Sequence, residues 1–169
     1  MYSLNVPVPG RVAALASDIA RELPEARARV RGKHTLGVKR LGTGDRAAYA
    51  RLEARAREVL VGQPAFEVRV TELKYFSEVI TGPAPVIYLA VESPELRRLH
   101  QRLAEVFDPI EGIEGDGYSP HVTVARGGTT EQARRAIERD IEPIQWTVSE
   151  LVFWDARRGQ PVSTVSLPA

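Results

Sequence analysis

The sequence is organised as two similar halves, and this feature most limits what the chain can fold into. Each half contains, in order, a strand, a helix, a strand that carries a histidine, a second helix and another strand. In the first half 32 residues separate Tyr2 from His34, and in the second half 34 residues separate Ile87 from His121. Two similar lobes that face each other would form a central groove to which each lobe contributes equivalent positions.

The periodicity of apolar residues and the positions of Gly, Pro and capping residues give the predicted elements. The Gly82-Pro83-Ala84-Pro85 segment is the one strong break in the chain. Before it we predict strands at 2–8, 29–41 and 66–76, and helices at 12–23 and 45–60. After it we predict strands at 86–91, 120–126, 145–154 and 161–167, and helices that begin at Ser93 and Thr129. The chain is therefore expected to be one domain over 1–169, with lobes at roughly 1–82 and 83–169.

Composition excludes several classes of protein. The 23 Lys and Arg nearly balance the 22 Asp and Glu, so a nucleic-acid partner would be held locally rather than by a broadly basic surface. The absence of cysteine excludes disulfides, thiolate zinc sites and a cysteine nucleophile. No apolar run approaches the roughly 20 residues that span a bilayer, and the N-terminus lacks the pattern of a secretory signal. We expect a cytoplasmic protein with no membrane contact.

The segment 118–126, Tyr-Ser-Pro-His-Val-Thr-Val-Ala-Arg, carries the clearest chemical signal. Side chains of a strand alternate between its faces, so His121 and Thr123 share one face while two valines anchor the other. An imidazole can accept or donate a proton near neutral pH, and a hydroxyl can donate a hydrogen bond to a phosphate oxygen. The alternative is that both residues lie on an ordinary exposed sheet face.

The corresponding segment of the first half, 33–41, reads Lys-His-Thr-Leu-Gly-Val-Lys-Arg-Leu. Here the threonine directly follows the histidine. Under simple alternation His34 shares a face with Leu36, and Thr35 lies on the other face. Both could face a groove only if the strand is irregular there, for instance through a bulge. Without a bulge, either His34 is buried among apolar groups or Thr35 and Lys33 take its place.

A His-x-Thr-x motif in each of two pseudo-symmetric lobes resembles the signature of the 2H phosphoesterase superfamily, which includes the 2′-5′ RNA ligase-like proteins. The second motif, 121–124, matches in full, and the first departs from the pattern. The order of elements is similar over essentially the whole chain. The resemblance implies an α+β fold in which two pseudo-symmetric lobes of antiparallel sheet, with flanking helices, surround a central groove.

The resemblance also implies a function: metal-independent hydrolysis of a 2′,3′-cyclic phosphate on RNA or a nucleotide, with 2′-5′ RNA ligation as a further activity. His34 and His121 would be the catalytic acid and base, in an order that the sequence leaves open, and Thr35 and Thr123 would hold the phosphate oxygens. No metal or cofactor is expected, and the partner would be an RNA end or a nucleotide bound by a monomer. Two alternatives stay open: a catalytically weak RNA- or nucleotide-binding module, and an enzyme for a small cyclic nucleotide metabolite.

Other residues are weaker candidates. Arg126 could contact phosphate, although it lies opposite His121 by strand parity and would need a twist at the strand end. Lys39 and Arg40 offer a second cationic patch. Tyr118 could stack on a base or a sugar. His100 lies on the polar side of its predicted helix, and we predict that it is solvated. The glycine-rich loop 112–117 is predicted to be flexible and could act as a lid, whereas the aromatic residues at 76 and 154 are expected in the core.

Overall fold

The computed structural model describes all 169 residues and contains nine strands and four α-helices. The strands are β1 (Tyr2–Val6), β2 (Arg27–Ala28), β3 (Leu36–Gly42), β4 (Phe66–Phe76), β5 (Val86–Glu92), β6 (His121–Arg126), β7 (Ile144–Val148), β8 (Glu150–Asp155) and β9 (Gln160–Ser166). The helices are α1 (Gly10–Ala20), α2 (Arg46–Leu60), α3 (Pro94–Ala104) and α4 (Thr130–Ala136). The predicted order of strands and helices is confirmed. The predicted strand 145–154 is divided at Ser149 into β7 and β8.

All strands belong to one antiparallel sheet in the order β7-β4-β5-β6-β3-β1-β8-β9, with β2 beside β6. The α+β architecture expected from the sequence is thereby confirmed. The two halves of the sheet are not the two halves of the chain, however. β4 lies with the strands of the second half, and β8 and β9 lie with β1 and β3 of the first half. Each half of the sheet is completed by strands from the other half of the chain.

The helices begin where the sequence places capping side chains. Asp45, Ser93 and Thr129 each accept a hydrogen bond from the backbone N–H three residues on, which satisfies one of the unpaired donors of the first turn. The helices pack one apolar face on the sheet, and 32 buried apolar side chains form a single core. None of the helices is long and apolar enough to cross a bilayer.

The centre of the sheet is where the two halves meet on one edge of β6. There β3 contributes a single pair, Leu36 opposite Val122, and β2 pairs further along β6. Between β2 and β3 the chain leaves the sheet as a loop, 29–35. The predicted strand 29–41 is therefore wrong at its beginning, and His34 lies in the loop that precedes β3. Residues 33–35 do not pair with a neighbouring strand, so the alternation of β3 does not extend back to His34.

Candidate active site

A groove of about 1000 Å³ crosses one face of the sheet at this junction. One end is lined by residues of the segment between β4 and β5, including Glu78, Ile80 and Thr81, and the other end by Trp154 and Gly159. The middle is lined by β3 and β6, the two strands that meet at the centre of the sheet. A groove that crosses several strands is long enough for a nucleotide-sized ligand.

His121 lies at the beginning of β6 and lines the middle of the groove. Its Nδ1 is 2.7 Å from the carbonyl oxygen of Ser119. A carbonyl can only accept, so Nδ1 carries the proton and Nε2 presents a lone pair. The rings of Phe76 and Tyr88 meet the imidazole edge-on at 5.4 and 5.3 Å between centroids and fix its orientation.

The surroundings of His121 favour its neutral form. Burial lowers its pKa, and the positive charges of Arg126, Arg29 and Arg40 lower it further, whereas the hydrogen bond to Ser119 raises it. At neutral pH the side chain is thus a base with its free nitrogen available. An anion among the arginines would offset their charge and raise the pKa again, so the same imidazole can hold a proton once a phosphate is bound.

A β-bulge places Arg126 on the same side as His121. Tyr88 pairs with Thr123 and Ile87 with Ala125, which leaves Val124 as an extra residue in β6. One extra residue reverses the alternation beyond it. His121, Thr123 and Arg126 consequently all line the groove, and Arg126 is steadied by a 3.0 Å hydrogen bond from Nη1 to the carbonyl of Thr81. The bulge therefore explains how Arg126 reaches the groove, although regular alternation would place it on the face opposite His121.

The antiparallel pair Leu36–Val122 gives the centre of the sheet a local two-fold relation, in which positions equally far from the two residues correspond. The counterpart of His121 is then Thr35, and the counterpart of Thr123 is Gly37. β3 has its own bulge at Val38, because Asn5 pairs with Gly37 and Leu4 with Lys39. The symmetry thus extends to the bulges. It places threonine and glycine at the positions where the second lobe has histidine and threonine.

Two residues further along, the same relation pairs Arg40 with Arg126. Arg40 lies opposite Ser3 on β1, and both line the groove. Its charge reaches His121, whose pKa it lowers. The groove strands therefore read Thr-x-Gly-x-x-Arg in the first lobe and His-x-Thr-x-x-Arg in the second. Aligning 35–40 with 121–126 in the sequence would have found this match. That alignment is shifted by one residue from the alignment that places His34 opposite His121.

His34 lies outside the set of residues that line the groove, although both of its neighbours belong to it. Its side chain is buried, with 8% exposure, and neither ring nitrogen has a hydrogen-bond partner. Burial lowers its pKa, as does the charge of Arg29, so the imidazole is held neutral. Leu36 and His34 are buried, whereas Thr35 between them is half-buried and lines the groove.

Arginines give the groove a positive charge that the whole chain, at net +1, does not have. Arg27 pairs with Arg126 in the sheet, so the two share a face, and Arg29 follows two residues later on that face. All three line the groove with Arg40. Neither Arg27 nor Arg29 lies in a motif, and neither was predicted as a site residue. No group of three or more His, Cys, Asp and Glu side chains is arranged to hold a metal ion.

Lys39 was expected among the substrate-binding residues, and the structure gives its ammonium other partners. The side chain is fully buried and pairs with Glu114 at 2.8 Å. It also donates to the carbonyl oxygens of Arg40 and Asp108 at 2.7 and 3.3 Å. Its three donors and its charge are therefore already used. The cation of this segment that lines the groove with an unpaired charge is its neighbour Arg40.

The prediction that His100 is solvated is wrong. The side chain is fully buried, its Nδ1 donates to Val38 at 2.7 Å, and its Nε2 accepts from the N–H of Gly115 at 2.8 Å. Burial lowers its pKa and keeps the neutral tautomer that these two bonds require. The helix places His100 beneath the 112–117 loop, whose N–H group it binds, and helical periodicity could not reveal that contact.

The glycine-rich loop is anchored on both sides rather than free. Glu114 accepts hydrogen bonds from the backbone N–H groups of Arg40 and Ile110 as well as from Lys39. Tyr118, at the end of the loop, stacks on His100 at 3.8 Å and donates its hydroxyl proton to the carbonyl of Gly37. Tyr118 lines the groove, but its hydroxyl and one ring face are occupied, and burial raises its pKa.

Two aromatic residues that were expected in the core line the groove instead. Phe76 stacks on Tyr88 at 4.2 Å and forms part of the wall around His121. Trp154 pairs with Ser3 in the sheet and is half-buried at the far end of the groove. Strand periodicity assigns such residues to one face of the sheet, and only the tertiary structure decides which face is covered.

The sequence profile of the 2′-5′ RNA ligase superfamily matches residues 37–160, which is most of the chain. The chain belongs to this superfamily of 2H phosphoesterases. The matched region contains His121 and Thr123 and begins after His34 and Thr35. Among curated protein sequences, none matches significantly.

Several solved structures share the fold of this chain over nearly its whole length. Escherichia coli LigT, in a structure with NADP+, has a TM-score of 0.69 and 16% sequence identity, and the alignment covers 99% of this chain and 97% of LigT. TT0787 of Thermus thermophilus has a TM-score of 0.65 and 16% identity, with 98% and 97% covered. A protein described as a phosphoesterase has a TM-score of 0.68 and 14% identity, with 99% and 98% covered. At these identities the similarity establishes the fold.

Proposed function

We propose that this protein is a metal-independent phosphodiesterase that hydrolyses a 2′,3′-cyclic phosphate on an RNA end or a nucleotide, with 2′-5′ RNA ligation, in which a 5′-hydroxyl attacks in place of water, as a further activity. One observation carries the proposal. His121 presents a free, neutral Nε2 into a groove whose other polar groups at that point are a threonine hydroxyl and arginines. A base beside hydrogen-bond donors and cations is the arrangement that phosphoryl transfer needs.

In the proposed reaction His121 Nε2 takes a proton from water as the water oxygen bonds to phosphorus. The bond from phosphorus to one ribose oxygen breaks, and that oxygen takes up a proton, which leaves a phosphate monoester. Thr123 and Arg126 hold the non-bridging oxygens, whose negative charge grows as the water adds. Membership of the superfamily supports phosphoester chemistry in general. The nucleotide part of the proposal draws on LigT, whose structures include complexes with ATP, NADP+, 3′-AMP and phosphate.

The protonation of the departing ribose oxygen is the open part of this mechanism. The catalytic role of His34 stays a prediction; its ring is buried, and it is not among the residues that line the groove. The two-fold-related position is Thr35, which cannot act as an acid near neutral pH. We propose that the departing oxygen takes its proton from solvent. The rate would then fall short of that of a two-imidazole site by about 10²–10⁴, the usual contribution of one proton-transfer group.

A second candidate function is favoured by the same observation. Thr35 and Gly37 at the positions that correspond to His121 and Thr123 would suit a protein that binds phosphate-bearing nucleotides and turns them over weakly or not at all. Such a module would keep the cationic groove and need only one imidazole. The third reading, an enzyme for a small cyclic nucleotide metabolite, uses the same groove and differs only in substrate.

The test is hydrolysis of the four nucleoside 2′,3′-cyclic monophosphates by the purified protein in EDTA, between about pH 5 and pH 9. We expect metal-independent turnover that falls at acid pH as His121 is protonated, and loss of turnover in His121→Ala with ligand binding largely retained. Arg31→Gln, a change in an exposed residue beside the groove, is the matched control. If the parent protein binds nucleotides but shows no turnover, the proposed enzymatic function is wrong and the nucleotide-binding module is the better description.

A further inference from the structure

Arg29 and Arg126 form a pair of like charges that the protein itself does not neutralise. The guanidinium of Arg29 is half-buried, and its pKa is lowered by burial and by the charge of Arg126, with no carboxylate acting in the opposite direction. Neither Arg29 nor Arg126 forms an ion pair with a carboxylate. Two uncompensated cations held side by side raise the free energy of the empty protein, and an anion between them would lower it.

The sheet, rather than a flexible loop, holds this pair in place. Arg27 and Ala28 of β2 pair with Arg126 and Ala125 of β6, and the N–H of Arg29 donates to the carbonyl of Val124 at 3.0 Å. The backbone of Arg29 is thus hydrogen-bonded to the bulge that brings Arg126 into the groove. By the alternation from Arg27, its side chain falls on the face that carries Arg126.

Arg29 also acts on the imidazole that the proposed reaction uses. Its charge lowers the pKa of His121, as the charge of Arg126 does. Both guanidiniums line the groove with Thr123, the hydroxyl on the same strand as His121. A ligand phosphorus placed within reach of His121 Nε2 therefore lies within the field of both arginines.

We propose that Arg29 is a catalytic residue which, with Arg126, binds the reacting phosphoryl group and selects for two negative charges on it. A cyclic phosphodiester carries one negative charge, and addition of water brings the phosphoryl group to two. Two guanidiniums match the doubly charged state, so they bind the transition state and the monoester product more tightly than the substrate. Arg29 takes over, from the β2 edge, the phosphate contact that Gly37 cannot make on β3.

The proposal rests on the proposed function for its catalytic part, and its binding part can be tested without turnover. The variant is Arg29→Gln, and the matched control is Arg31→Gln, which removes the same charge from an exposed residue of the same loop outside the groove. The probes are inorganic phosphate at about pH 8, which is a dianion, and dimethyl phosphate, which is a monoanion. Binding is measured by calorimetry or by chemical-shift changes of the His121 ring.

We expect Arg29→Gln to weaken the binding of phosphate dianion by about 10–100-fold, as loss of a charge-assisted bidentate contact does, and that of dimethyl phosphate by much less. Arg31→Gln should change neither by more than the general screening of one surface charge. Equal weakening of both probes, or no weakening, would overturn the selection for two charges. In the cyclic phosphodiesterase assay Arg29→Gln should lower kcat with little change in KM.

Thermal unfolding without ligand separates this role from a structural one. Because removal of Arg29 relieves the repulsion from Arg126, Arg29→Gln should keep or raise the Tm of the empty protein, and it should lose most of the Tm increase caused by phosphate. A residue that merely supported the fold would lower the Tm of the empty protein. If the parent binds phosphate dianion through Arg29 but shows no turnover, the binding role of Arg29 and Arg126 is supported and the proposed enzymatic function is wrong.

Discussion

Replacing the first-lobe pair by the residues of the second lobe tests which position is the partner of His121. The double variant Thr35→His, Gly37→Thr would give the groove two two-fold-related imidazoles and two hydroxyls. The structure has room for it: a Cβ at Gly37 would meet no atom within 4 Å, its backbone is outside the left-handed region, and Thr35 is only half-buried. The double variant should therefore fold.

The expected gain follows from the role that the added imidazole would fill. One positioned proton-transfer group is worth about 10²–10⁴ in rate, or about 3–5 kcal/mol of activation free energy. The arginines that lower the pKa of His121 should also lower the pKa of an imidazole at 35. Because an acid must be protonated, the gain should lie near 10² at neutral pH and grow as the pH falls towards 6.

The assay is steady-state hydrolysis of a 2′,3′-cyclic monophosphate in EDTA, with His34→Ala measured beside the double variant. We expect His34→Ala to keep the turnover of the parent, since its ring does not line the groove, while it changes the stability of the protein. Thr35 would not be the position that corresponds to His121 if His34→Ala lost turnover as completely as His121→Ala and the double variant gained nothing. The 29–35 loop would then have to deliver His34 to the substrate.

Three further predictions concern stability. Lys39→Ala leaves the carboxylate of Glu114 buried without its cation, so the free energy of unfolding in urea should fall by about 3–5 kcal/mol. Adding Glu114→Gln removes the unpaired charge, keeps an acceptor for the backbone N–H groups that Glu114 binds, and should recover part of the loss. His100→Ala leaves a cavity and two unpaired backbone groups, and calorimetry should show a loss of about 3–5 kcal/mol. The pKa of each of the three histidines is lowered in the folded protein, so the unfolded chain binds their protons first, at about pH 6.5. Stability should fall as the pH drops below that value, by at most about 1.4 kcal/mol per pH unit for each histidine, and His34→Gln should make the fall shallower in urea titrations at pH 7.5 and 5.5.

The second motif could be predicted from sequence because all of its information is local. His121, Thr123 and the valines between and after them specify a half-buried strand by alternation alone. The caps at Asp45, Ser93 and Thr129 were equally local. The position of the first motif could not be predicted in the same way. Which residue of β3 corresponds to His121 depends on the pairing of Leu36 with Val122, and no local pattern shows that pairing.

Burial of polar residues was likewise decided by partners distant in sequence. His100 and Lys39 look like surface residues in their own elements, and they become buried because the 108–118 segment covers them and supplies hydrogen-bond partners to both. Arg126 reaches the groove only through the bulge against β5. A bulge leaves no mark in the sequence at this point, since valine and alanine suit a regular strand equally well.

The order of strands and helices could be predicted from the sequence, as could the strand that carries His121 and Thr123, because periodicity and capping act within a few residues. The tertiary structure alone decided that Thr35 rather than His34 faces the groove. It also brought Arg27, Arg29, Arg40 and Arg126 together at the groove, where none of the four forms an ion pair with a carboxylate. The physical reason is that register and bulges in a sheet depend on long-range pairing, and a shift of one residue exchanges the two faces of a strand.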